Sequence, residues 1–577
     1  MSPGDSDQYQ GIARRKYLTL LSAGGFAALA GCSGGGGGGD GGGGGGGTTG
    51  GGGDGGDGGD GGDGGSGGIQ MGGDLTIGFA NAPQSLNPMK GITSSGYTVR
   101  ETMYSRLTNV NSDLEVVPEL AQDWESNDAR DQYTFMLSED ATFATIDQAV
   151  LAEDVKATVE VMQSEDRVSS ASRDVGPVES VEVEDDHRIT FNLSRSDIVY
   201  PKRVAETGST FNILPKNVIE DRWEELAETD FGSGPFTLTE FEDGNEYVFE
   251  AHDGHFKTDE NGNDLPYVDT MTWTINTDAV ARINALVDGR MDAVQNLAKT
   301  NLQRVSNTEG ISTKTKGSPG FQLIVLNEDL TLENGDQPFS DVKVRKAFKH
   351  AIDREEMQAA TDNSTVIGHH DPVAPVHEYY ADFDEGLEFG TTAQPDEARR
   401  LLEEAGYGDG LELPNMVYSA NDPITPPMVQ VFQEQMGAVG VEFDIQQVTE
   451  DTWLSDYWNS DNNWYWSEWS ARIEDTTVHR LAIYSEGPWN SGRYANDDYD
   501  AAYDTFINAT DRETFREAFS EAQEIFHRTG PWLILGHLKK WTGHHDYVKN
   551  IDYQGSNSRS YHWNDWLAQD GDGGGYN

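Results

Sequence analysis

The chain has 577 residues, 99 Asp and Glu against 40 Lys and Arg, a net charge of −59 and a single cysteine. A field of that sign repels nucleic acid and anionic lipid, and one cysteine rules out an intramolecular disulfide. Aromatic residues reach 10%, so the acid does not mark a disordered acidic tail. Self-repulsion of this size weakens a compact state in dilute buffer. At 1 M salt the Debye length falls to about 3 Å and the repulsion is screened, so the composition fits a very salty medium.

The N-terminus reads as an address. Arg14-Arg15-Lys16-Tyr17-Leu18 resembles a twin-arginine export signal. The apolar stretch from Leu18 to Ala30 falls short of the roughly 20 residues that span a bilayer. Leu29-Ala30-Gly31-Cys32 resembles a lipobox, which implies cleavage after residue 31 and a lipid on Cys32. Residues 32–72 are dominated by Gly and Asp and have almost no apolar surface to offset chain entropy. They are expected to form a flexible tether with a span of about 33 Å.

From Gly73 to Leu567 the chain is too long for one core, so two or three lobes are expected. The first half alternates as hairpins. One has Val181 and Val183 before a 184–187 turn, then Ile189, Phe191 and Leu193. Another runs Phe236–Phe241, a 242–245 turn, and Tyr247–Phe249. The second half carries helices. Ser340-Asp341 caps a stripe of Val344, Ala347, Phe348, Ala351 and Ile352. Lys343, Arg345, Lys346, Lys349 and Arg354 read as that helix's solvated side. Pro395 opens a helix that Gly406 ends, with Ala398, Leu401, Leu402 and Ala405 inward. Met428, Val431, Phe432 and Val439 line a third, and Val441, Phe443 and Ile445 alternate as a strand after Gly440. Thr510-x-x-Glu513 predicts a capping box for a helix bearing Phe515, Phe519, Ala522, Ile525 and Phe526. Gly530 closes it, and the apolar run Trp532–Leu535 follows.

These segments occur in an order that resembles the peptide/nickel/opine class (family 5) of extracellular solute-binding proteins serving ABC importers. The resemblance rests on Asp74-Leu-Thr-Ile-Gly, Ser85-Leu-Asn-Pro88, Glu115-Val-Val-Pro-Glu-Leu-Ala-Gln-Asp-Trp124 and Tyr133-Thr-Phe-Met-Leu137. It continues through Leu151–Lys156, Gly232-Ser-Gly-Pro-Phe236, Ala285–Asp292, Asp341–Ala347, Ala351–Arg354 and Glu397–Gly406. It implies an α/β, two-lobed periplasmic-binding-protein-like fold (type II) with an additional subdomain in the first lobe. Lobe I is expected over 74–316 plus 531–570 and lobe II over 317–530. The implied protein is a monomeric receptor, not an enzyme, that closes on a solute and passes it to membrane permease subunits. It needs no cofactor, and ATP hydrolysis falls to another subunit, since the chain has no phosphate-binding loop.

In the peptide-binding branch a Trp-x-x-Asp supplies a carboxylate for the ligand's amine. Taking Trp469 as that tryptophan puts Arg472 at +3, where the charge is reversed. A guanidinium suits a carboxylate or a hydroxyl-bearing ligand, unless Glu468, Glu474 or Asp475 takes over the amine. Trp464, Trp466, Trp469, Trp489 and Asn490 are further candidates. Their aromatic faces stack on sugars or hold apolar side chains, although Trp464 and Trp466 also fit the core face of a strand. Tyr97 is a candidate for the opposite wall. An oligosaccharide receptor of the same family is the alternative ligand class, and a secreted hydrolase the alternative function. No Gly-x-Ser-x-Gly elbow is present, while 99 acids leave a catalytic carboxylate pair open. The pairs His369-His370 and His544-His545 point to opposite sides of an extended chain and make poor chelates, so no metal is expected.

Overall fold

In the computed structural model the described residues are 69–551 and 564–568, apart from 84, 91–93, 147, 165–166, 169–174, 206–210, 298, 362, 382, 384–387 and 420–423. The export signal, Cys32 and nearly all of the glycine tether lie outside them. Contacts divide the chain after Ile69, and everything below concerns the unit 70–577.

An eleven-stranded sheet organises that unit. In chain order its strands are β1 (Asp74–Phe79), β2 (Phe236–Glu242), β3 (Glu246–Ala251), β4 (Thr270–Ile275), β5 (Ala293–Val294) and β6 (Ile311–Val325). They continue with β7 (Thr365–Val366), β8 (Met416–Ser419), β9 (Ile445–Val448), β10 (Tyr465–Trp469) and β11 (Trp532–His545). Across the sheet the order is β2-β3-β4-β1-β5-β11-β6-β10-β8-β9, with β7 paired to β11. The two longest strands, β6 and β11, run antiparallel through the middle, and their ladder is interrupted. Ile311–Gly317 pairs with His545–Lys539, then the register jumps to Phe321 opposite His537. Ser318, Pro319 and Gly320 fill the break. Proline has no N–H to continue a ladder. On one side of the break β5 meets β11 at Ala293–His544. On the other β10 meets β6 at Phe321–Trp469. The sheet therefore has two halves joined by two strands that cross at one place.

Each half has its own core. The first holds Ile77, Phe135, Phe191, Tyr247 and Trp273. It is extended by a four-stranded antiparallel sheet of Ala121–Ser126, Gln132–Leu137, Arg188–Leu193 and Val178–Asp185. The second half is covered on both faces, by a cluster around Phe348, Phe432 and Trp464 and another around Phe321, Trp469, Phe519 and Trp532. Trp532–Leu535 pack in those second-half clusters. Past the break the same strand pairs with Ile311–Gly317 and with β5, so β11 is shared by both halves.

Local signals placed most elements within a residue or two. Asp341 caps the helix Val342–Ala351 through the Lys343 N–H, and Pro395 opens Pro395–Glu404. Two expectations are corrected. The helix α1 (Arg512–Thr529) is capped by Asp511, whose side chain takes the Thr514 N–H, and not by Thr510. The single strand expected over Val441–Ile445 is two, because Val441–Glu442 pairs with Leu411–Glu412 while β9 pairs with β8.

The basic patch is also not a solvated face. Arg345, Lys349 and Arg354 are buried. Arg345 Nε donates to Thr529 O and Lys349 Nζ to His527 O at 2.7 Å. Both carbonyls end α1, where four acceptors lack an intrahelical donor and a cation is favoured. Periodicity found the helix but gave no sign that a second helix would end against its polar side.

Candidate ligand-binding site

The candidate residues gather on β10 and the segment after it, beside the break in the sheet. β10 lies between β6 and β8, so its side chains alternate between two covered faces. Trp464 and Trp466 point into one of the second-half cores. The Trp464 indole N–H donates to Pro414 O at 2.9 Å, and that of Trp466 to Gln322 Oε1 at 2.5 Å. Phe443 meets the Trp464 ring edge-on at 4.8 Å. These two tryptophans fill the core, the plainer of the two readings their spacing allowed.

Trp469 is on the other face. Its ring lies parallel to Phe321 at 6.4 Å and 6.0 Å from both Trp489 and Trp532. Trp489 is half-buried and meets Trp458 at 6.0 Å. Trp469, Trp489 and Trp458 thus form an aromatic row. Asn490 works differently: its side chain donates to Tyr494 O at 2.7 Å and accepts from Tyr494 N–H at 3.0 Å, fixing the 490–494 loop.

Beyond Trp469 the chain runs along the seam between the halves. A Cβ on Gly320 would stand 3.1 Å from Trp469 O and 3.3 Å from Ala471 N, so the interrupted ladder and this segment touch backbone to backbone. His377 Nε2 donates to Arg472 O at 2.9 Å, and its Nδ1 accepts from Ala374 N–H. Ile473 is buried against Val110, Leu114 and Ala205 of the first half. Glu474 and Asp475 complete the crossing. Lys202 Nζ lies 2.6 Å from Asp475 Oδ2, and Arg203 bridges Asp197 at 2.7 Å and Glu474 at 3.2 Å. Lys202 and Arg203 end the short helix Tyr200–Arg203, whose Tyr200 packs in the first-half core. Asp475 Oδ1 also accepts from Tyr379 N–H at 3.0 Å. Burial alone would raise the Asp475 carboxyl. The Lys202 ammonium and His377 outweigh it and hold the group below the usual aspartate range.

Arg472 lies between these anchored neighbours and is half-buried. Its Nη1 donates to Ser470 Oγ at 3.0 Å, and among the described residues no carboxylate lies within ion-pair distance. Tyr97 stands apart. It is buried in the helix Ser94–Met103 with the Arg100 guanidinium over its ring at 5.0 Å. Burial lowers Arg100 to about 10. No hydrogen bond or ring contact among the described residues joins Tyr97 to the 464–490 group. Sequence reasoning missed Asp197, Lys202 and Arg203. An adjacent Lys-Arg in so acidic a chain was a weak signal, and nothing in it named the partner. Among the described residues no group of three or more His, Cys, Asp or Glu side chains is placed to hold a metal.

The chain matches the model of bacterial extracellular solute-binding proteins, family 5 Middle, over residues 115–491. It belongs to that family. Members are receptors of ABC importers, and this family 5 receptor has the family's two-lobed architecture. It is 25% identical over 423 residues to the oligopeptide-binding protein AppA of Bacillus subtilis, covering 70% of this chain and 71% of AppA. It is 23% identical over 492 residues to heme-binding protein A of Haemophilus influenzae, covering 79% and 86%. The solved structure of AppA from Bacillus subtilis with a nonapeptide superposes with a TM-score of 0.69 at 22% identity, covering 87% of this chain and all of that one. Among the described residues no helix is long and apolar enough to cross a membrane.

Proposed function

We propose that this family 5 receptor is held at the outer face of the cell membrane by a lipid on Cys32, after twin-arginine export. There it clamps an oligopeptide-like solute between its two lobes for delivery to ABC permease subunits. Lobe I takes in residues from 74 to the break at 317–320 and the chain beyond 539, and lobe II the chain between. The observation that carries this reading is the seam. Two strands cross between the halves at a ladder break, and the aromatic row and Arg472 lie immediately beside it. A hinge with ligand contacts from both sides converts binding into closure, because the ligand favours the closed population. The peptide class is supported by AppA and by the dipeptide-binding protein of Escherichia coli, 22% identical over 488 residues. A tether replaces free diffusion by a high local concentration at the permease. The receptor acts as a monomer, without cofactor and without turning over its ligand.

The test is a thermal-shift screen of oligopeptides and oligosaccharides with the purified protein in molar KCl, followed by mass spectrometry of the recovered ligand. Peptide binding with the ligand returned intact is expected, and Trp469→Ala and Arg472→Ala are expected to weaken it in a folded protein. Stabilisation by oligosaccharides alone would make it a sugar receptor, with the aromatic row as the stacking platform. Cleaved ligand would make it a hydrolase. Unchanged affinity in both variants would remove the site from the seam. For the anchor, Cys32→Ala is expected to release the protein into the medium.

A further inference from the structure

The segment 468–475 holds four charged side chains: Glu468, Arg472, Glu474 and Asp475. Glu474 and Asp475 are buried and occupied. Glu474 Oε1 accepts from Thr476 N–H and Oγ1, and its Oε2 from Thr477 Oγ1 and Arg203. Asp475 takes Lys202 on one oxygen and Tyr379 N–H on the other. Both are fully buried, and a ligand ammonium at either would stand against the Lys202 or Arg203 cation that already pairs with it. Glu468 is exposed, but strand alternation turns it to the side of Trp466, away from Trp469, and its Oε2 accepts from Gln322 Nε2 at 2.7 Å. Arg472 is the reverse case. Its backbone is pinned by His377 and its neighbour Ile473 is locked in the opposite half. Among the described residues its guanidinium bonds only to Ser470 and Ala471, although a guanidinium offers five donors.

We infer that the ligand presents an anionic group, a carboxylate, to Arg472, and that this segment does not dock a free amine. This rests on the peptide-receptor reading and narrows it: the charge recognised at the seam is the peptide's C-terminal carboxylate. A planar fork of donors matches a carboxylate bidentately, and a half-buried site is less screened by salt than the open surface.

The experiment uses two libraries of tripeptides to pentapeptides built without Asp, Glu, Lys or Arg. One is N-acetylated with a free C-terminal carboxylate, the other has a free N-terminal amine and a C-terminal amide. Each is passed over immobilised full-length protein in molar KCl and the retained peptides are counted by mass spectrometry. Retention of the acetylated, carboxylate-bearing library by about tenfold or more over the other is expected, the range of a charge-assisted hydrogen bond. Arg472→Gln is expected to abolish that preference and Arg472→Lys to keep part of it. Equal or better retention of the free-amine library overturns the inference and leaves the peptide receptor standing, as does a preference unchanged in Arg472→Gln. Loss of free-amine retention in Glu468→Gln would locate the amine there and also overturn it. If neither library is retained, the peptide reading falls and takes this inference with it.

Discussion

Replacing Asp475 with Asn removes one charge from a buried pair and almost nothing else. Asn keeps an acceptor for the Tyr379 N–H and matches the shape of Asp. It leaves Lys202, whose side chain is 4% exposed, without its counter-charge at 2.6 Å. Removing one partner of a buried pair costs about 3–5 kcal/mol, far above the 0–1 kcal/mol of a surface pair. Lys202 and Asp475 belong to different halves, so part of the penalty has an outlet: the halves separate and water reaches the ammonium. The variant should therefore show a lower denaturation midpoint in urea and a larger radius of gyration by X-ray scattering, both in molar KCl. The double variant Lys202→Met/Asp475→Asn should recover most of the loss, because it removes the stranded ammonium and keeps an acceptor for the Tyr379 N–H. The sign with pH follows from the depressed Asp475 carboxyl: its contribution is present above the ordinary aspartate range and is lost as pH falls through the folded value. A loss below about 1 kcal/mol in Asp475→Asn, with unchanged scattering, would refute the reasoning, since it would mean the pair is hydrated and the halves are not docked through it.

Three further outcomes are expected. Gly232→Ala should cost about 3 kcal/mol or more by urea denaturation, because its Cβ would fall 1.8 Å from Met103 O, a backbone atom held by the Gly234 N–H; a near-neutral result would show that the backbone gives way there. His537 is buried and lowered to about 3, so it enters the fold neutral. Below about pH 6.5 the unfolded chain takes up a proton that the folded one does not, so wild type should lose about 2 kcal/mol relative to His537→Gln between pH 7 and 5. The difference between the two proteins is the readout, since Glu328 and Asp230, raised to about 7, act in the opposite direction over the same range. The melting temperature should climb steeply with KCl, given a net charge of −59; equal stability in dilute buffer would overturn the halophilic reading.

Periodicity and punctuation settled the local elements by themselves. Ala398, Leu401, Leu402 and Ala405 at helical spacing, Pro395 in front and Gly406 behind make one short amphipathic helix, and the structure has it. The order of segments likewise needed no coordinates to set the fold. Other choices depended on what lay opposite. Trp464 and Trp469 look alike in sequence, and strand alternation sends one against Phe443 and the other towards Trp489. Arg345 and Lys349 resemble any solvated helix face until the end of α1 arrives above them with unpaired carbonyls. Asp475 read as a spare acceptor for a ligand, and Lys202, 273 residues away, had already taken it. Short-range sterics and hydrogen bonding act within a few residues and can be read along the chain. Pairing of buried charges acts across whatever distance the fold closes, so tertiary structure alone decided which charges on the seam were already paired.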